Sequence, residues 1–141
     1  MYSIQDIKEA RKKAAELELK GADLFCSLPI TAVQHCCNGI GAAWMPAASR
    51  ALLNKRFPVL QLAAMIHDVR YSYGTGTDED FHNANRELYE NGVILAKDHY
   101  GWWNPIRYVV ILDARRLANV CDAFGRKAYF DAQIKQEGES K

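Results

Sequence analysis

The segment of residues 59–71 constrains the fold of this chain more than any other, because apolar side chains occur on nearly every side of the helix that it would form. These side chains are Leu60, Leu62, Ala63, Ala64, Met65, Ile66 and Val69. A helix that is apolar all round lies in the interior of a domain. We therefore predict that this segment is the central helix of the molecule.

Two ionisable residues, His67 and Asp68, interrupt the apolar segment. His67 and Tyr71 are four residues apart and so share one face of the helix, whereas Asp68 is rotated from His67 by about 100°. Burial of a histidine and an aspartate is costly unless each is hydrogen-bonded, paired or bound to a metal. We therefore predict that this pair is the functional centre.

The helices before this segment are predicted from their end signals. Ser3 and Asp6 form a capping-box pattern at the start of an N-terminal helix, which Gly21 ends. The following stretch is interrupted by prolines and glycines, which predicts a long ordered loop with one short helix at residues 47–55. The interrupting residues are Pro29, Gly39, Gly41 and Pro46.

The helices after this segment have clearer end signals. Thr77 and Asp80 form a second capping pattern, for a helix that extends to about Lys97. Asn104 is a helix cap with proline after it, and Gly125 separates that helix from a shorter helical piece that ends near residue 134. No alternating strand pattern is present, so we predict an all-helical, single domain over residues 1–141. Its parts are residues 1–21, 22–58, 59–98 and 104–134.

The composition limits the class of partner and the compartment. The chain has 18 Lys and Arg against 17 Asp and Glu, a formal net charge of +1, so no nucleic-acid partner is expected. Neither a signal peptide nor a transmembrane segment is present in the sequence, which predicts a cytoplasmic protein as synthesised. Reduced thiols are then expected for the cysteines. They are Cys26, Cys36, Cys37 and Cys121.

Partners for His67 and Asp68 can be proposed from the spacing of other residues. Asn85 falls on the inward apolar stripe of the following helix, where its amide can bond one ring nitrogen of His67, and Tyr71 can share that bond. The glycine pair Gly39 and Gly41 can direct backbone carbonyls toward Asp68. Oxygen ligands of this kind suit calcium. His67 would then remove a proton from water while the metal polarises an ester carbonyl.

These residues also resemble a known family. The Cys37-Asn38-Gly39-Ile40-Gly41 run, the His67-Asp68-Val69-Arg70-Tyr71 run, and Ala84-Asn85 with Leu88 and Asn91 together resemble the glycine loop, HDxxY motif and supporting residue of phospholipase A2. The likeness is greatest to the compact phospholipase A2 domains of parvovirus capsid proteins and small bacteriophage proteins. It covers residues 37–91, about two fifths of the chain.

The resemblance implies a phospholipase A2-like fold, with two antiparallel core helices and a calcium-binding glycine turn. It implies calcium-dependent hydrolysis of lipid esters, with His67 as the general base. Tyr71 and Asn85 would orient that base, and Asp68 would bind calcium with the carbonyls of Cys37, Gly39 and Gly41. A phospholipid or membrane interface is the implied partner, and association with a virion is an implied location.

Asn85 stands where this family has an aspartate, which leaves weak or lost turnover as an alternative. A non-catalytic bacteriophage accessory or virion protein with the same fold is the corresponding second interpretation. A third interpretation is an HD-type metal phosphohydrolase, in which His35, the His67-Asp68 pair and either Asp113 or Asp122 would bind the metal.

The loop at residues 100–103 is rich in aromatic side chains. Tryptophan is favoured at lipid interfaces, so Trp102 and Trp103 are candidates for contact with a membrane. The sequence more strongly favours packing of at least one of them beneath the terminal helix.

Overall fold

The computed structural model describes residues 2–37, 51 and 59–139. All regular secondary structure in these residues is helical, as predicted from the sequence. Seven helices lie within the described ranges and are named here in chain order. They are α1 (Ile4–Glu16), α2 (Ala22–Ser27), α3 (Ile30–Cys36), α4 (Gln61–Ser72), α5 (Asp78–His99), α6 (Pro105–Phe124) and α7 (Arg126–Glu139).

Helix α1 begins as predicted but ends earlier. Ser3 and Asp6 form the complete capping box, with each side chain accepting a hydrogen bond from the backbone of the other. The helix ends at Glu16 rather than near Gly21, because Glu18 adopts a left-handed backbone conformation with φ of 52°. Leu19 N then donates to Ala14 O at 3.0 Å and closes the end of the helix.

The prediction of a loop after residue 21 is wrong for its first part, where α2 and α3 form. Both helices are short, and each buries an apolar residue: Phe25 in α2 and Val33 in α3. Their stability comes from packing against α1 and α4 rather than from local propensity. The predicted helix at residues 47–55 lies outside the described residues except for residue 51.

Helices α4 and α5 run antiparallel to each other. Leu60, just before α4, lies near Gly92, whereas Tyr71 at the other end of α4 lies near Phe81, with ring centroids 6.0 Å apart. The contacts therefore run in opposite chain directions. α4 also packs against α2, α3 and α7, which makes it central in the described structure.

The longest helices, α5 and α6, pack closely because Gly92 has no side chain. A Cβ atom at this position would lie 2.5 Å from the Cβ of Ala114. Asn104 caps α6 with Pro105 in its first turn, as predicted. Helix α7 begins directly after Gly125 and continues to Glu139, beyond the predicted end near residue 134.

A smaller aromatic cluster joins α7 to α4 and α5. Tyr129 of α7 is fully buried against Tyr71 and Phe81. Its hydroxyl donates to Asp80 Oδ2 at 2.5 Å, and Arg70 donates to Asp80 Oδ1 at 2.8 Å. The carboxylate of Asp80 therefore bonds Arg70 and Tyr129 rather than completing a capping box at the start of α5. None of the described helices combines the length and apolar content needed to cross a bilayer.

Candidate functional site

His67 and Tyr71 lie against each other in the interior, one turn apart on α4. Their ring centroids are 4.2 Å apart and their planes are inclined by 45°. His67 is 6% exposed, so its imidazole is removed from bulk water. The apolar residues around them on α4 put this turn of the helix in the core.

Asn85 of α5 meets both side chains. It is fully buried, and its Oδ1 lies 2.9 Å from His67 Nε2 and 2.7 Å from the Tyr71 hydroxyl. The structure therefore brings together His67, which the sequence nominated as the base, and the two residues nominated to orient it. Their inward spacing on two neighbouring helices was the sequence signal.

The atoms of this bond fix the state of the imidazole. An amide Oδ1 only accepts hydrogen bonds, so the hydrogen between His67 and Asn85 lies on His67 Nε2. A neutral imidazole with a hydrogen on Nε2 has its lone pair on Nδ1. Among the described residues no side chain bonds Nδ1, which leaves this atom available as a base.

Asp122 of α6 stands behind Asn85 and was not predicted to do so. Its Oδ1 accepts from Asn85 Nδ2 at 2.7 Å, and His82 Nδ1 lies 2.9 Å from the same oxygen. The Asp122 side chain is 45% exposed, so the network runs from the core to the surface. The sequence placed Asp122 next to the buried Cys121, but it held no information on which helix this flank of α6 would face.

His67 is held in its neutral form. Burial lowers the pKa of His67 to about 4, and the charge of Arg70 acts in the same direction. The hydrogen bond to Asn85 and the charge of Asp122 act in the opposite direction, but they do not outweigh burial. The imidazole is therefore a free base near neutral pH, which a general base requires.

Asp68 follows His67 on α4 and forms none of the hydrogen bonds of this network, although its charge acts on Tyr71. Burial raises the pKa of Asp68 to about 8, although part of the residue remains accessible to solvent. No described side chain donates a hydrogen bond to it or forms an ion pair with it. Its charge, after burial, contributes to raising the pKa of the thiols of Cys36 and Cys37. Asp68 is thus a carboxylate near Cys37 without a described protein partner.

Only part of the predicted calcium set can be located. Asp68 and Cys37 are described, and Cys37 follows α3, with its backbone N–H bonded to Val33 O at 3.0 Å. Gly39 and Gly41 lie outside the described residues. Among the described members of this set, Asp68 provides a carboxyl group, which is the hard oxygen type of ligand that calcium takes. All four cysteines are free thiols.

A cleft of about 340 Å³ opens between α1, α4 and α5. Val59, Leu62, Met65 and Leu95 provide its apolar lining, and the rest of the lining is mostly polar or charged: Asp6, Glu9, Lys13, Gln61 and His99. Gln61 and Met65 of the lining are seven and three residues before Asp68 on α4. At this spacing the three residues share one face of the helix.

The aromatic loop and the start of α6 form an exposed apolar surface, named here the aromatic patch. Trp102 is 76% exposed and Trp103 72% exposed, so the prediction that one of them packs beneath the terminal helix is wrong. The aromatic patch consists of Trp102, Trp103, Ile106, Tyr108, Val109 and Leu112. The exposed Arg115 and Arg116 follow it on α6.

The ligands of the HD phosphohydrolase interpretation are all among the described residues, but they do not form a metal-binding group. Nowhere in the described part of the chain do three or more His, Cys, Asp or Glu side chains meet in this way. Asp122 instead bonds Asn85 and His82, and Asp113 lies 3.4 Å from Arg116. This arrangement gives the phosphohydrolase interpretation no support.

Comparison of the chain with profiles of known protein families, with curated proteins and with solved structures finds no match. The function of the protein is therefore inferred from the geometry of the site.

Proposed function

We propose that this protein is a calcium-dependent lipid ester hydrolase of the phospholipase A2-like type, with His67 as its general base. The observation that carries this proposal is the hydrogen bond from His67 Nε2 to Asn85 Oδ1. It holds the ring and leaves the lone pair on Nδ1 in a site where the imidazole is neutral. A positioned neutral imidazole is the usual base for activating water.

The residues of the site have separate roles in this proposal. Nδ1 of His67 takes the proton of an attacking water and later delivers it to the alkoxide that leaves the ester. Tyr71 and Asn85 keep the ring from rotating. Asp68 would hold calcium together with the carbonyls of Cys37, Gly39 and Gly41, as the resemblance implies. Calcium bound there would polarise the ester carbonyl and stabilise the negative charge that develops on its oxygen.

The cleft supports a substrate with an aliphatic chain. Its lining includes Leu62 and Met65, and Met65 is three residues before Asp68, so the two lie on neighbouring parts of one face of α4. An acyl chain in the cleft would bury apolar surface that is otherwise in contact with water. We assign the cleft to the acyl chain of the substrate.

The aromatic patch supports a lipid surface as the partner. Two neighbouring exposed tryptophans are typical of residues that enter the interfacial region of a bilayer. Arg115 and Arg116 follow the patch, so its border is positively charged and complements anionic headgroups. We therefore assign the patch to an anionic lipid surface rather than to another protein.

The test is release of fatty acid from phosphatidylglycerol vesicles in the presence of calcium. We expect release by the wild-type protein, no release by His67→Ala, and no release in EDTA, with circular dichroism confirming that the variant is folded. His35→Ala is the matched control: this histidine is exposed, and only the phosphohydrolase interpretation gives it a role. Release that persists in EDTA or in His67→Ala would contradict the proposal.

A binding protein without turnover is the second candidate, favoured by an amide at position 85 where a carboxylate would balance an imidazolium. In this case calorimetry would show calcium binding that Asp68→Asn abolishes, while no fatty acid is released.

A weakened site can be tested at position 85. Asp122 Oδ1 is 2.7 Å from Asn85 Nδ2, so Asn85→Asp alone would place two carboxylates together. We therefore expect the combined Asn85→Asp and Asp122→Asn variant to raise turnover if the site is only weakened. Binding of zinc or manganese in preference to calcium would favour the phosphohydrolase interpretation instead.

A further inference from the structure

The amide of Asn85 has two ends, and only one of its partners can decide which end faces His67. Rotation of the amide by half a turn exchanges its acceptor Oδ1 with its donor Nδ2. His67 Nε2 would be satisfied by either end, because a neutral imidazole nitrogen donates in one tautomer and accepts in the other. The Tyr71 hydroxyl also either donates or accepts. Neither of these partners therefore fixes the orientation of the amide.

Asp122 does fix it. A carboxylate only accepts hydrogen bonds, and Asp122 Oδ1 lies 2.7 Å from Asn85 Nδ2. Nδ2 must therefore face α6, and Oδ1 must face His67 and Tyr71, as their distances of 2.9 and 2.7 Å require. His82 bonds the same carboxylate oxygen at 2.9 Å, so it holds Asp122 and does not reach the amide.

We propose that Asp122 is a positioning residue, which acts through Asn85 to select the tautomer of His67 with its lone pair on Nδ1. The effect of this selection on hydrolysis rests on the proposed function, whereas the selection of the tautomer itself does not. One exposed residue of α6 would thus perform, through an intervening amide, the orienting task of a carboxylate in direct contact with the histidine.

Long-range proton–nitrogen correlation spectra of the ¹⁵N-labelled protein report the tautomer of each histidine, and a His67→Gln spectrum assigns the signal of His67. We expect wild-type His67 to carry its hydrogen on Nε2. Asp122→Ala leaves the amide free to rotate, so we expect a mixture of tautomers or the Nδ1-protonated form. Asp122→Asn places a second amide opposite Asn85, which can present either a donor or an acceptor, so we expect a mixture of tautomers for this variant too.

His82→Ala is the matched control, because it removes the other partner of Asp122 without touching Asn85. It should retain the wild-type tautomer. Wild-type His67 protonated on Nδ1 would overturn the proposal, whatever the variants do. A folded Asp122→Ala with the wild-type tautomer would also overturn it. A shift in His82→Ala as large as that in Asp122→Ala would overturn it by assigning the orientation to His82.

Hydrolysis gives a second, separable readout. In a serine protease, the wrong tautomer of the catalytic histidine lowers kcat about ten-thousand-fold. Asp122 acts on His67 only indirectly, through an amide, so we expect a smaller effect: Asp122→Ala should lower kcat by at least about tenfold and leave KM unchanged. Rescue of kcat by Asp122→Glu, which keeps an acceptor-only carboxylate, would support positioning by an acceptor. A wild-type protein that shows the expected tautomers but releases no fatty acid would refute the proposed function and leave the role of Asp122 intact.

Discussion

The side chain of Asn91 forms two hydrogen bonds with the backbone of Lys20. Its Oδ1 accepts from Lys20 N at 2.7 Å, and its Nδ2 donates to Lys20 O at 2.9 Å. Asn91 is buried on α5, and Lys20 lies between α1 and α2. This residue belongs to the pattern that resembles phospholipase A2, but in the structure it anchors the N-terminal helices to the core pair.

We expect Asn91→Ala to lower the free energy of unfolding by about 2–4 kcal/mol, because it leaves two backbone groups of Lys20 without partners. Urea denaturation of both proteins measures this difference. Asn119→Ala is the control, since Asn119 is exposed on α6, and it should change stability by less than about 0.5 kcal/mol. An Asn91→Ala protein as stable as the control would contradict the anchoring role.

The pKa of His67 predicts a loss of stability in acid. Burial lowers it to about 4 from the ordinary value of 6.5. As the pH falls below the ordinary value, the unfolded chain binds a proton that the folded chain does not bind. The free energy of unfolding should therefore decrease by up to about 1.4 kcal/mol per pH unit until the folded pKa is reached.

Urea denaturation of wild type and of His67→Gln, between about pH 7 and about pH 4 in calcium-free buffer, isolates this contribution. The variant lacks the group that titrates, so the stability of wild type relative to the variant should fall with the pH. A constant difference between the two proteins across this range would show that His67 is not buried in its neutral form.

Asp68 predicts the opposite dependence. Its pKa is raised by burial from 3.8 to about 8, so the folded chain binds this proton more tightly than the unfolded chain. Wild type should therefore lose stability relative to Asp68→Asn as the pH rises through this interval. Without calcium, we expect the variant to have the higher Tm near about pH 8 and this advantage to vanish near about pH 4. The partial exposure of Asp68 makes the effect smaller than that of a fully buried carboxyl.

Calcium should reverse the order of the Tm values of wild type and Asp68→Asn near about pH 8, because a ligand that binds only the folded protein raises its Tm. We expect this rise in wild type and in Asp23→Asn, a control on an exposed aspartate of α2, but not in Asp68→Asn. Equal rises in all three proteins would place calcium elsewhere.

The aromatic patch predicts binding to vesicles. Replacement of Trp102 and Trp103 by Ala should weaken binding to phosphatidylglycerol vesicles by at least about tenfold, because two large apolar side chains lose their burial in lipid. Cosedimentation measures the bound fraction. Phe124→Ala is the control, because this residue is 58% exposed but lies at the opposite end of α6.

Replacement of Arg115 and Arg116 by Gln should remove the preference for phosphatidylglycerol over phosphatidylcholine while leaving the aromatic contribution. If the tryptophan variant binds vesicles as wild type does, and wild type instead self-associates through this face, the patch is a protein interface.

Much of the fold could be predicted because its signals are local. Ser3, Thr77 and Asn104 each accept a backbone hydrogen bond within a few residues of themselves, so their roles as caps follow from the sequence around them. Helices α2 and α3 could not be predicted in this way. They are too short to be stable alone, and the contacts that stabilise them come from α1 and α4.

Some residues of the candidate site could also be predicted from local patterns, and others could not. His67, Tyr71 and Asn85 could be nominated together because each lies at an inward position of a strongly patterned helix. Asp122 is 37 residues from Asn85 in the chain, and its contact with the amide depends on the rotation of α6 about its axis. The exposure of both tryptophans likewise depends on where α7 packs.

The sequence by itself determined that the chain is helical, where most helices begin, and which polar residues must be satisfied inside the core, because these follow from periodicity, caps and the cost of burying unpaired groups. Only the tertiary structure decided what satisfies them. The partner of an interior amide is set by how distant helices pack, and that packing depends on the shapes of all the side chains between them rather than on any local pattern.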